Sequence, residues 1–268
     1  MAADQDKTAR LAVLIDADNA SAALIGAILA EVATYGTAHV KRAYGDWTGT
    51  SLRGWKPLLL TLSIQPVQQF AYTTGKNATD AAMVIDAMDL LYTGRFDGFC
   101  IVSSDSDFTR LAARIRESGL TVYGFGERKT PGSFVAACDR FTYVENLDLA
   151  AETTPLAEPA PHPPPATPKV PLSSDSSLVR QLRAAVEAAS DDDGWASLAY
   201  VGNLLTTKSP DFDPRSWGYR KLSDLITAVG LFETDRRRPS GSNASVIYIR
   251  DRRRRPGAEP APPPDAGP

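Results

Sequence analysis

The chain has 268 residues, 43% hydrophobic and 23% charged, with a formal net charge of −3, which excludes wholesale disorder and fits a soluble chain able to bury a core. The length favours one sizeable domain with a smaller partner; no apolar run approaches the roughly 18–20 residues that cross a bilayer, and the polar start lacks the order of an export signal, so a cytoplasmic location without membrane contact is expected. Two cysteines, Cys100 and Cys138, and two histidines, His39 and His162, leave little for a disulfide framework, a sulfur-bound zinc or histidine-centred catalysis.

Apolar runs of strand length in the first half of the chain predict strands at 11–15, 38–44, 66–70, 99–103 and 121–125, with a sixth at 141–145. Helical patterns at 20–34, 51–62, 80–92, 107–117 and a short one near Ser133 fill the gaps. Strands alternating with helices imply an α/β domain whose mainly parallel sheet is covered on both faces. Eight of the 20 prolines then fall between Pro155 and Pro171, and six more between Pro256 and Pro268. Such tracts favour extended chain. They predict a first domain over 8–150, a linker over 151–173, a second domain over 174–251 and a basic, then proline-rich, disordered tail over 252–268.

Charge divides in the same way. Residues 1–150 carry 14 basic and 17 acidic side chains, whereas residues 172–255 carry 14 and 11. Eight arginines against the single acid Asp251 give residues 236–255 a local charge of +7, so a polyanion would meet this end first.

The acids of the first domain fall at strand ends and helix starts. Leu14-Ile15-Asp16-Ala17-Asp18-Asn19 closes the first strand, and Val102-Ser103-Ser104-Asp105-Ser106-Asp107-Phe108 closes the fourth. In a doubly wound sheet these two strands are neighbours at the point where the winding reverses, and ligands bind in that crevice. At about 100° per residue, Asp80 shares the apolar stripe of Met83, Val84, Ala87, Met88 and Leu91, and so faces the sheet. Asp86 lies on the flank of that stripe as a supporting or fourth acid, and Asp89 on the far side. Helix capping is the alternative reading for each acid. The three helix starts, however, carry more carboxylates than caps require, and crowded carboxylates repel unless a cation neutralises them. Oxygen ligands without histidine or cysteine suit Mg²⁺ or Mn²⁺, and such an ion with its waters suits hydrolysis of a phosphodiester.

Asp16 with Asn19, Gly75-Lys76-Asn77-Ala78-Thr79-Asp80 opening a helix, and Ser103-Ser104-Asp105-Ser106-Asp107-Phe108 together resemble the NYN domain, a branch of the PIN-like nucleases, over about residues 10–146. The resemblance implies a sheet ordered 3-2-1-4-5, metal-dependent ribonuclease activity, and catalytic or metal-binding roles for Asp16, Asp80, Asp105 and Asp107. It further implies support from Asn19 and a phosphate contact for Lys76; Asp18, Ser103 and Ser104 complete the surroundings. Ser104 stands where the family often has glycine. Tyr44, Trp47 and Trp55 could stack on unpaired bases or pack in the core, and Arg128 and Lys129 could hold a sugar-phosphate backbone or belong to a solvated loop.

In the second domain, helices are predicted at 177–189, 197–208 and 219–229, followed by two strands at 231–234 and 245–250 that form a wing. Trp217-Gly218-Tyr219-Arg220-Lys221-Leu222-Ser223-Asp224-Leu225-Ile226 resembles the LOTUS, or OST-HTH, domain, a winged-helix-like unit. This resemblance covers about residues 176–251 and implies RNA binding or docking of a protein partner. Lys208, Arg220, Lys221, Arg236, Arg237 and Arg238 are candidate phosphate contacts, with solvated surface as the alternative for each. The leading reading is therefore a Mg²⁺- or Mn²⁺-dependent endoribonuclease with an RNA-binding module. The competing readings are a noncatalytic RNA-binding adaptor and a haloacid-dehalogenase-like phosphatase, in which Asp16, Asp18 and Lys76 would be nucleophile, acid and lysine.

Overall fold

A computed structural model describes residues 8–70, 78–147, 172–238 and 245–254. The chain divides into two compact units, the first built on residues 1–160 with Ser209–Asp213 grouped to it.

The first unit alternates strand and helix: β1 (Arg10–Asp16), α1 (Ile25–Tyr35), β2 (Thr37–Gly45), α2 (Lys56–Thr61), β3 (Gln65–Gln68), α3 (Ala78–Tyr92), β4 (Gly98–Val102), α4 (Thr109–Glu117), β5 (Thr121–Gly126), α5 (Gly132–Ala137) and β6 (Arg140–Tyr143). All five strand pairings are parallel, in the order β3-β2-β1-β4-β5-β6. This is the expected 3-2-1-4-5 sheet with β6 added beside β5. Only the short edge strand β3 carries a proline, Pro66, which cannot donate to a ladder and is tolerated at an edge.

Every residue of β4, and every residue of β1 after Arg10, is buried, as expected of central parallel strands covered on both faces. Alternate side chains go to opposite faces. Ala12, Leu14, Phe99 and Ile101 meet Met83 and Ala87 of α3 and Leu111 and Ile115 of α4. Leu11, Val13, Ile15 and Cys100 meet Ile25, Ile28 and Val32 of α1. The same alternation turns Asp16, the last residue of β1, towards α3 and α4. Both cysteines are free and buried.

Three of the predicted helices begin with a tighter turn. Short 3-10 segments at Ala22–Leu24, Arg53–Trp55 and Ser106–Phe108 precede α1, α2 and α4. Each follows a strand carboxyl end, so these turns position the loops around the sheet's upper rim.

The second unit contains α6 (Ser176–Ala189), β7 (Ala196–Ser197), α7 (Leu198–Lys208), α8 (Leu222–Val229), β8 (Phe232–Arg237) and β9 (Val246–Asp251). Asp175 caps α6 by accepting from the Ser177 and Leu178 amides. Gly230 ends α8 at φ 72°, a left-handed position that glycine adopts without a Cβ penalty. The expected two-stranded wing gains a third strand: β7 pairs antiparallel with β9, giving the order β7-β9-β8. That pairing holds Ser197 in a strand and starts α7 one residue later than the helical pattern alone suggests. The sequence of elements, three helices with a short strand between the first two and a terminal hairpin, is that of a winged helix.

Candidate metal centre

Asp16 is fully buried at the end of β1. Its Oδ2 accepts from Asn19 Nδ2 at 2.7 Å and from Ser103 Oγ at 2.8 Å, while its Oδ1 is buried without any hydrogen-bond partner. A buried carboxylate oxygen left unpaired is costly, and burial raises the carboxyl pKa even though the Asn19 and Ser103 hydrogen bonds pull it down.

Ser103 is the hub. It donates to Asp16 and accepts from the Asp105 amide at 3.1 Å, so the end of β1 is tied to the loop after β4. Asp105 caps the 3-10 turn by accepting from the Asp107 amide at 2.9 Å. This fulfils the capping alternative for one oxygen of Asp105.

Across the crevice, Asp80 lies in the first turn of α3. One ligand oxygen from each of Asp80, Asp105 and Asp107 falls within 4.8 Å of the others. The Asp80 pKa is pushed up to about 6, by burial first and then by the facing charges of Asp16, Asp105, Asp107 and Asp18. Among the described residues, Asp16, Asp80 and Asp105 form no ion pair with arginine or lysine. Asp16 is outside the three-carboxylate group but is coupled to it through Ser103 and through its effect on Asp80. Asp18 is exposed and accepts from Thr79 Oγ1 at 3.0 Å, which fastens the loop after β1 to the start of α3. Thr79 had no role in the sequence reading; its position just before Asp80 was the available signal. Ser104 instead accepts from the Glu127 amide at 2.9 Å and joins the loops after β4 and β5.

The donor set fits a hard divalent cation. Every candidate donor is a carboxylate oxygen, the charges facing Asp80 that raise its pKa are all carboxylates, and Asp16 Oδ1 is an orphaned acceptor. Asp16, Asp80, Asp105 and Asp107 are the residues that would hold it.

Two expectations are corrected. Asp86 is not a further acid of this site: it pairs with Arg42 and accepts from the Tyr44 hydroxyl, on the flank of α3 that packs over β2. Tyr44 is fully buried, so its ring is core and is not presented to a base; burial and the Asp86 charge both raise its pKa. The strand's period of two placed Tyr44 on the same face as Asp16, and that face lies under α3. Trp55 is likewise buried. Trp47 is half-buried, with its indole N–H donating to the Val67 carbonyl at 3.1 Å.

Arg128 and Lys129 are exposed after β5, as expected of a loop. Arg128 donates to Asn146 Oδ1 at 2.9 Å and lies over the Tyr143 ring, and Lys129 pairs with Glu127 at 2.9 Å. Lys76 lies outside the described residues. In the second unit Lys208, Arg220, Lys221, Arg236 and Arg238 are exposed. Arg237 differs: its guanidinium pairs with Asp235 at 2.9 Å and lies over the Trp195 and Tyr248 rings at 4.6 and 4.8 Å, and Arg250 also lies over Trp195, at 4.5 Å. It is partly buried, packed on these two rings and paired within the wing, unlike its exposed neighbours Arg236 and Arg238.

A parallel sheet of this order, with acids at the carboxyl ends of β1 and β4 and at the start of α3, is a PIN-like fold. The NYN domain model matches residues 10–147, and the chain belongs to the NYN domain family, a family of PIN-like nucleases. The OST-HTH/LOTUS domain, a module known for RNA binding, matches residues 171–243. Among solved structures, a protein of unknown function from Vibrio parahaemolyticus is 20% identical, covering 52% of this chain and 94% of its own, with a TM-score of 0.43. An uncharacterized protein from Nitrosomonas europaea is 37% identical over 37% of this chain and 91% of its own, with a TM-score of 0.28. A Chromobacterium violaceum protein is 31% identical over 31% and 88%, with a TM-score of 0.25. No curated protein matches the chain. No helix among the described residues is long and apolar enough to cross a membrane.

Proposed function

We propose that the protein is a Mg²⁺- or Mn²⁺-dependent endoribonuclease whose winged-helix unit binds its RNA substrate. The gathering of Asp80, Asp105 and Asp107 beside the buried, half-satisfied Asp16 carries this reading. A divalent ion bound there would supply an activated water and neutralise charge on the scissile phosphodiester. The chain's own residues do the rest. Asn19 and Ser103 fix one oxygen of Asp16 and leave the other unoccupied. Asp105 is held by its cap, and Asp18 and Thr79 set the position of Asp80. A nucleophilic Asp16, as a phosphatase would require, is disfavoured by its complete burial.

The test is cleavage of single-stranded RNA by purified protein with Mn²⁺ or Mg²⁺, beside Asp16→Asn and Asp105→Asn. Loss of at least about 100-fold in rate in each variant is expected if these carboxylates hold the charge-stabilising ion. Equal cleavage by wild type and both variants would mean that the activity comes from elsewhere. RNA binding without cleavage in either metal would favour an adaptor.

A further inference from the structure

We propose that Arg53 and Lys56 form a phosphate grip at the margin of the acidic site, binding the RNA backbone beside the scissile bond; the assignment rests on the nuclease reading above. Arg53 opens the 3-10 turn Arg53–Trp55 that follows β2, and Lys56 is the residue after it. In a 3-10 helix, residues three apart eclipse one another. Leu52 and Trp55 are accordingly both buried, at 5% and 2% exposure, and anchor the turn, while Arg53 and Lys56 both stand outward.

The turn is packed directly against the loop that carries the acids. A Cβ on Gly45 would lie 2.6 Å from Leu52 Cδ1 and 3.1 Å from Asp18 Oδ1, so Leu52 and the Asp18 carboxylate both close in on the same bare backbone position. Gly54 faces Ala22 at 3.8 Å by the same measure. Asp18 is in turn bonded to Thr79, next to Asp80. Arg53 thus adjoins a residue that shares the Gly45 position with the loop carrying Asp16 and Asp18.

Most other cations of this unit are already engaged. Arg10 pairs with Asp97, Arg42 with Asp86, Arg114 with Glu117, Arg116 with Asp139 and Lys129 with Glu127. Among the described residues Arg53 and Lys56 have no carboxylate partner. A polyanion approaching clustered carboxylates needs uncommitted positive charge nearby, and a rigid, anchored turn supplies it without ordering a loop on binding. Arg128 and Lys129 follow β5, on the other side of β1 and β4. The strands β2 and β5 are three spacings apart, about 14 Å. A backbone crossing the site would therefore run from the Arg53 turn, over the acids, to the loop after β5.

The experiment is salt-dependent binding of a labelled oligouridine of about a dozen nucleotides to the full chain, with Ca²⁺ in place of the catalytic ion. Arg53→Gln/Lys56→Gln is expected to lower the log–log salt slope by about 1.4, since each single-strand phosphate contact contributes about 0.7. Arg95→Gln, an exposed cation at the far end of the sheet, is expected to change nothing. An unchanged slope in the double variant, with wild-type melting, overturns the grip. Mn²⁺ binding by calorimetry on the same double variant is expected to match wild type; a loss there would show that the turn acts through the acids and would also overturn it. The nuclease reading fails separately, through cleavage by Asp16→Asn and Asp105→Asn.

Discussion

Asp80→Asn is expected to stabilise the metal-free protein at neutral pH. In the fold the Asp80 carboxyl has a pKa of about 6, against 3.8 as its ordinary value, because it is partly buried and faces other carboxylates. A carboxyl whose folded pKa is raised binds more protons folded than unfolded between those two values. Its contribution is therefore fully favourable below the unfolded pKa and is lost as pH rises through the folded one, so folding loses stability between about pH 4 and pH 6. The full shift is roughly 2 pK units, or roughly 3 kcal/mol at 1.36 kcal/mol per unit. Asp80 is only half-buried, and solvent screening reduces this to about 1 kcal/mol. For a unit of this size that is a rise of about 3–4 °C in melting temperature. Thermal unfolding of chelator-treated wild type and Asp80→Asn at matched pH isolates the effect, because other titrating groups cancel in the difference. The variant should melt higher at pH 7.5, and the gap should close towards pH 4.5. A variant that melts at or below wild type at pH 7.5, or a gap independent of pH, would refute the crowding of carboxylates on which the proposed metal centre rests. Added Mn²⁺ should raise the wild type and leave Asp80→Asn nearly unmoved.

Ser103→Ala removes a donor to buried Asp16 and an acceptor for the Asp105 amide, and is expected to cost about 1–3 kcal/mol in denaturant unfolding as well as most of the cleavage rate. Tyr44→Phe deletes the hydroxyl that donates to Asp86; because Arg42 remains on that carboxylate, a loss of about 1 kcal/mol is expected, with cleavage kinetics unchanged. Trp195→Ala opens the stack of Arg250, Trp195, Arg237 and Tyr248 and should destabilise the second unit by about 2–4 kcal/mol through lost packing and two cation–π contacts, read by loss of its hydrogen-exchange protection.

The fold was legible because central parallel strands announce themselves as short, wholly apolar runs. Residues 11–15 and 99–102 needed no alternation to be read, since both faces are covered. The acids were legible for a related reason: a strand that must be apolar throughout makes a carboxylate at its last position conspicuous. Residues settled by partners distant in sequence were not legible. Asp86 lay near the expected site by helix periodicity and Tyr44 was an aromatic candidate at the second strand, but periodicity assigns a face, not a partner, and Arg42 on β2 claimed Asp86. Arg237 in a run of three arginines looked interchangeable with its neighbours. The antiparallel register of β8 with β9 turned it alone onto the face of Trp195 and Tyr248. The third strand of the wing was invisible because Ala196–Ser197 is two residues long and exists only through its pairing with β9.

The distribution of paired and unpaired charge follows a consistent physical logic. Away from the rim, acids and bases neutralise one another: Asp97 with Arg10, Asp86 with Arg42, Asp139 with Arg116. At the rim Asp16 accepts from the Asn19 amide and the Ser103 hydroxyl, Asp18 from the Thr79 hydroxyl, and Asp80 stands in the first turn of α3, so these acids are oriented by neutral groups. Neutral hydrogen-bond donors can orient a carboxylate without cancelling its field, whereas an arginine in the same place would satisfy it and compete with a metal ion. Replacing Ser103 by a larger cationic side chain should therefore relieve the electrostatic penalty on the acids and abolish divalent-ion binding together. The arrangement is stable to the extent that the surrounding apolar sheet tolerates the repulsion, and it is this tolerated repulsion that a divalent ion, in the proposed function, would relieve on binding.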